Sequence, residues 1–172
     1  MPEFPRKDFQ LHVGWRTIKT AVSAMLVAIV YCLIGRNPAF ACIGAIFGMG
    51  GSYEQSRLHG GNRFFGTMVG GFIGMGLFAI YMELFPDGSN AWVLIPLTFV
   101  GVIILILLCQ HIWVGGVQPG GVVLCILLFN TPTDTYITYA MNRILDTGIG
   151  VLAAIFVNGM LPGGFTFSFM HR

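Results

Sequence analysis

Asn62-Arg63-Phe64-Phe65-Gly66-Thr67-Met68-Val69-Gly70 returns as Asn142-Arg143-Ile144-Leu145-Asp146-Thr147-Gly148-Ile149-Gly150, with Asn, Arg, Thr and the last Gly kept at an offset of 80 residues. The recurrence divides the chain into two copies of one unit. If each copy crosses a bilayer three times, an odd number, the second lies upside down relative to the first. Inverted repeats with polar groups at matched places are the sequence sign of a transporter-like architecture. At the same offset Glu54 meets Asp134 and Gly35 meets Gly115, while Asn37-Pro38 and Gln118-Pro119 correspond with a slip of one residue.

The 172 residues are 55% hydrophobic and 9% charged, with a mean hydropathy of +0.78. A soluble domain carries about a quarter charged residues, so a water-soluble core explains this chain poorly. A single membrane domain over residues 1–172 is expected, with repeats at about 14–85 and 91–165. The net charge of +2 is spread rather than massed, which excludes a nucleic-acid surface. Cys32, Cys42, Cys109 and Cys125 lie in or beside apolar runs without C-x-x-C spacing, so neither a disulfide framework nor a metal site is expected. No H-E-x-x-H, nucleophile elbow or phosphate-binding loop occurs, so no enzyme and no cofactor is expected.

About twenty apolar residues cross the hydrocarbon as a helix. Spans are expected at about Trp15 to Ile34, Pro38 to Ser52, Phe64 to Phe85, Ala91 to Ile112, Gln118 to Asn130 and Thr138 to Leu161, the second and fifth being short and Gly-rich. The fold class is therefore an all-α integral membrane protein of six transmembrane helices in two inverted three-helix repeats. Arg6, Lys7, Arg16 and Lys19 before an apolar run, with Ala39-Phe40-Ala41 after it, outline a signal peptide. The matching segment 94–114 of the second repeat argues instead for a true first helix. With the N-terminus in the cytoplasm, Arg6, Lys7, Arg16, Lys19, Arg57, Arg63 and Arg172 fall inside, and only Arg36 and Arg143 outside. Seven against two places both termini in the cytoplasm.

Arg63 and Arg143 are the leading chemical candidates, Arg143 the sharper of the two, because a charge near hydrocarbon costs a few kcal/mol and needs a partner or a task. Either arginine could hold a substrate carboxylate, with Asn62, Asn142, Thr67 and Thr147 supplying hydrogen bonds. Arg143 and Asp146, three apart on a helix, could equally brace the bundle, and bracing is the simpler account of each arginine taken alone. The anion-site reading expects Arg143→Gln to abolish transport in a folded protein. Gln118 is a candidate cavity-lining amide. Glu54, Asp134 and Asp146 are candidates for proton coupling, against the plainer reading of Glu54 and Asp134 as solvated acids or local ion pairs. Glu83 and Asp87 read as ordinary boundary acids. Gly66, Gly70 and Gly74 make consecutive G-x-x-x-G spacings, which let helices approach closely. His12, His59, His111 and His171 show no ligand spacing, and His59 and His111 read as solvated loop residues.

Asn62-Arg63-Phe64-Phe65-Gly66-Thr67-Met68-Val69-Gly70-Gly71, the Gly-rich helix before it, and the Asn142–Gly150 phrase with Asn158 resemble the aromatic acid exporter and fusaric acid resistance protein-like membrane family. The resemblance covers about residues 14–160. It implies a six-helix module of the bacterial cytoplasmic membrane that exports aromatic or other organic carboxylates, driven by the proton motive force. A passive organic-anion channel is also implied, through distant plant relatives, and a non-transporting membrane scaffold is the remaining alternative. Its partners would be the lipid bilayer, a small organic anion and a second copy of the chain, most simply in a homodimer.

Overall fold

The computed structural model describes residues 14–86, 88 and 90–161, and over them the chain is all helix and connection. Six α-helices follow one another: α1 (Trp15–Leu33), α2 (Ala39–Gly48), α3 (Tyr53–Leu84), α4 (Leu94–Ile112), α5 (Val117–Asn130) and α6 (Tyr136–Met160). Single 3-10 turns, Ala91–Val93 and Val114–Gly116, lead into α4 and α5. Four of these elements are long and apolar enough to cross a membrane: Trp15–Leu33, Tyr53–Leu84, Ala91–Ile112 and Tyr136–Met160. Ala39–Gly48 and Val114–Asn130 are the shorter apolar pair, in the places where the sequence has its short Gly-rich segments. Arg6, Lys7, His12, Asp87, His171 and Arg172 lie outside the described residues.

The expected boundaries need correction at the α2–α3 junction. α2 ends at Gly48 rather than Ser52, and α3 begins at Tyr53 rather than Phe64. Ser52 is the N-cap, its hydroxyl accepting from Gln55 N at 3.2 Å. The polar residues that follow, among them Glu54, Gln55 and Arg57, are adequate helix formers. Hydropathy marks where lipid begins, which is not where the helix begins. His59 therefore stands on a helix, and so does His111, in the last turn of α4.

Tight packing runs between α3 and α5 and between α2 and α6. A Cβ on Gly66 would meet Gly116 O, and one on Gly70 would meet Gly120 O. On the other pair a Cβ on Gly150 would meet Ala41 O, and one on Gly44 would lie 2.9 Å from Thr147 O. Small residues thus bring backbone onto backbone, the contact that joins helices where lipid removes the hydrophobic drive. The G-x-x-x-G spacing in α3 is used in this way. The largest apolar core gathers Leu77, Phe78 and Tyr81 of α3, Leu94, Leu105 and Cys109 of α4, and Leu124 and Leu128 of α5. α1 lies on α2 and α6 through a stripe of Lys19, Ser23, Val27 and Tyr31, polar at both ends.

Candidate functional site

The first polar cluster forms where α1 ends. Gly35, at φ +69°, lets the chain leave the helix in the left-handed conformation, with Arg36 N donating to Tyr31 O at 2.9 Å and Gly35 N to Cys32 O at 3.2 Å. This helix-stop motif needs a residue without Cβ at the reversal. It delivers Arg36 back over its own helix, 5.8 Å from the Tyr31 ring centre and onto α6. There Arg36 Nη2 donates to Asp146 Oδ1 at 3.0 Å and to Asn142 Oδ1 at 3.2 Å, while Tyr31 Oη donates to Asp146 Oδ1 at 2.9 Å. Arg143, one turn before Asp146, reaches Oδ2 at 3.8 Å. Its guanidinium carbon lies 3.4 Å from the Phe40 ring centre and 4.6 Å from that of Tyr139. Asp146 is 2% exposed, so one buried carboxylate serves two guanidiniums: Arg36 through a hydrogen bond, and Arg143 through the longer ion pair alone, its Nε and Nη1 buried without a partner.

The second cluster surrounds Arg63. Its guanidinium lies 5.1 Å from the ring centre of Phe47, and its Nε is buried without a partner. Among the described residues Arg63 enters no ion pair and no hydrogen bond. Phe40 and Phe47 stand near opposite ends of α2, seven residues or about 10 Å apart along the axis, so the two arginines lie against opposite ends of the short helix. A cleft of about 320 Å³ opens beside Arg63, lined also by Phe47, His59, Asn62, Gln118 and Val122. Asn62 accepts from the indole N–H of Trp113, which holds α3 to the end of α4. The cleft offers a guanidinium, two amides, an imidazole and an apolar wall. That combination takes up a small anion with an apolar body.

A third, buried network was not legible in the sequence. Lys19 is 4% exposed, and its ammonium donates to Asn158 Oδ1 at 2.8 Å. Asn158 Nδ2 in turn donates to Ser56 Oγ at 2.8 Å and Gly50 O at 3.3 Å, and Gly50 N donates to Ser56 Oγ at 2.7 Å. Arg16 Nη2 donates to Met49 O at 3.1 Å. The interruption of helix between α2 and α3 frees backbone groups that no helix satisfies, and these side chains satisfy those of Met49 and Gly50. Twelve residues, about 18 Å of helix, separate Lys19 from Tyr31 on α1 and Asp146 from Asn158 on α6. α1 is therefore pinned to α6 by polar contacts of matched spacing.

Of the residues singled out from the sequence, Asn62, Arg63 and Gln118 come together at the cleft. Asn142, Arg143 and Asp146 come together at the other end, with the Arg143–Asp146 contact that their spacing implies. Thr67 and Thr147 are buried at helix contacts, the Thr67 hydroxyl without a partner and the Thr147 backbone against Gly44. Glu54 and Asp134 are exposed, and among the described residues neither joins an ion pair. Tyr31, Arg36, Phe40, Phe47, Lys19 and Ser56 are the contributors that sequence reasoning missed. Only the Gly35-Arg36 pair carried a signal, since a glycine at a helix end fixes where the next side chain goes.

No curated protein and no solved structure matches the chain. A family profile described as aromatic acid exporter family member 1 matches residues 11–161, which includes all six helices and both arginine clusters. With four membrane-length apolar helices over that same stretch, the chain is a multi-pass membrane protein and belongs to the aromatic acid exporter family.

Proposed function

We propose that the protein carries small organic carboxylates, aromatic ones included, out of the bacterial cytoplasm, with Arg63 as the seat of the carboxylate. One observation carries this reading: a half-buried guanidinium without a counter-ion lines a cleft of about 320 Å³. The Arg fork pairs with a carboxylate through two parallel N–H···O bonds. Asn62 and Gln118 supply amides for a second polar group, and Phe47, Pro119 and Val122 offer a face to an aromatic ring. The family is named for aromatic acids, which fits that chemistry.

The same proposal includes two inverted repeats. Its support is the cross-wise packing, α3 of the first copy on α5 of the second and α6 of the second on α2 of the first, with glycines at both contacts. The distribution of basic residues supports both termini in the cytoplasm, and the Arg63 cleft then lies on the inner side. Arg143 is then the outer arginine, held by Asp146, with Arg36 and Tyr31 closing that end. Of the three acids that could carry protons, Asp146 is the buried one, and its release from Arg36 would accompany opening of the outer end.

The test is benzoate efflux from liposomes holding the purified protein. Arg63→Gln is expected to cut efflux by about 10- to 100-fold, the loss of a charge-assisted pair of bonds, while elution as a monodisperse species shows the fold intact. Undiminished efflux in that variant would remove Arg63 from the proposal. Benzoate current that persists without a proton gradient would make the pathway a channel.

A further inference from the structure

Resting on the Arg63 seat just proposed, we infer that His59 is a second, pH-dependent cation of the same seat, so that the cleft binds its carboxylate more tightly as the cytoplasm turns acidic. His59 reads as a solvated loop residue in the sequence, but the fold puts it on α3 one turn before Arg63. Residues four apart share a helix face, and both line the cleft. Among the described residues His59 has no carboxylate partner, so its charge is not already committed.

The surroundings leave few competitors. From α2 the cleft receives Phe47, and from the start of α5 and the turn before it Gly115, Gln118, Pro119 and Val122, none of them titratable near neutrality. On α3 itself Asn62 is neutral and Arg63 stays cationic. Glu54 and Arg57, earlier on α3, and His111, at the end of α4, are exposed as His59 is, but unlike His59 they do not line the cleft. Histidine is the side chain whose charge ordinarily changes near neutral pH. Protonation of His59 therefore adds a second positive charge beside Arg63, and the bound carboxylate satisfies both.

Linkage makes the effect reciprocal: a proton that raises anion affinity is itself bound more tightly when the anion is present. The chemistry of the cargo gives this sense. A permeant weak acid enters as the neutral molecule and dissociates inside, releasing a carboxylate and a proton together. A seat strengthened by the proton is strengthened in the condition that calls for export.

The experiment measures binding of benzenesulfonate, an anion whose own charge does not change, to the full chain in lipid nanodiscs between about pH 6 and pH 8. Wild-type affinity is expected to fall about three- to ten-fold on going from the acid to the alkaline end, as one nearby charge is lost in a wet cleft. His59→Gln should bind at the weaker, alkaline level throughout, and His59→Lys at the tighter level throughout. Arg63→Gln should lose most binding at every pH. A His59→Gln variant that keeps the wild-type pH dependence overturns the inference and leaves the Arg63 seat standing. Wild-type binding that depends on Arg63 but not on pH does the same. Absence of any Arg63-dependent binding overturns the seat and the inference with it.

Discussion

Arg63 and Arg143 open the same sequence phrase, yet the fold treats them differently. Arg143 reaches the buried carboxylate of Asp146, shared with Arg36 and Tyr31, and its guanidinium lies against Phe40 and Tyr139. Arg63 has one ring beside it, no acid, and a cleft in front. The difference traces to matched positions. Eighty residues before Asp146 stands Gly66, and eighty after Arg36 stands Gly116. Where one copy sets an ion pair between the helices, the other brings two glycine backbones into contact. Both devices join helices in lipid, but only the ion pair occupies an arginine. One carboxylate decides whether a guanidinium is a brace or stays available to an incoming anion.

Three substitutions sharpen that contrast. Asp146→Asn should have the largest effect, because it leaves Arg143 mostly buried without its counter-charge. Breaking such a pair from one side costs about 3 kcal/mol or more, reduced here to about 2 to 3 kcal/mol because Arg36 is partly solvated. Unfolding in detergent should register the loss, and an Asp146→Asn protein as stable as wild type would dissolve the brace. Next comes Asn158→Leu, which strips the acceptor from the Lys19 ammonium and the donor from Gly50 O. Hydrogen bonds between membrane helices are worth about 0.6 to 2 kcal/mol, so a loss of about 1 to 2 kcal/mol is expected. Adding Lys19→Met should restore much of it, since replacing both partners by apolar groups is nearly neutral. No recovery in the double variant would mean that Lys19 has some other acceptor. Smallest is Thr67→Val, within about 0.5 kcal/mol of wild type, because that buried hydroxyl has no partner to lose. A large loss there would assign Thr67 a bond that the structure does not contain.

The helices were legible where lipid wrote them. The apolar runs of α1, α4 and α6 and the glycine spacing of α3 follow directly from what a bilayer requires of a chain. The start of α3 was not, because Tyr53–Asn62 is polar on account of its surroundings while its backbone is helical. At the site, Arg143–Asp146 was visible because helix geometry fixes neighbours three apart. Arg36–Asp146 and Lys19–Asn158 join residues more than a hundred positions apart, and no local spacing announces such a pair. The meeting of Asn62, Arg63 and Gln118 lay between these cases: each was recognisable as polar in an apolar setting, but only packing of α5 on α3 makes them one cleft.

The most direct test compares benzoate binding by Arg63→Gln and Arg143→Gln side by side, with the unfolding temperature of each recorded in the same detergent. Arg63→Gln should unfold like wild type and lose benzoate, whereas Arg143→Gln should keep benzoate and unfold at lower temperature. Benzoate lost only in Arg143→Gln, with Arg63→Gln binding normally, would contradict the account.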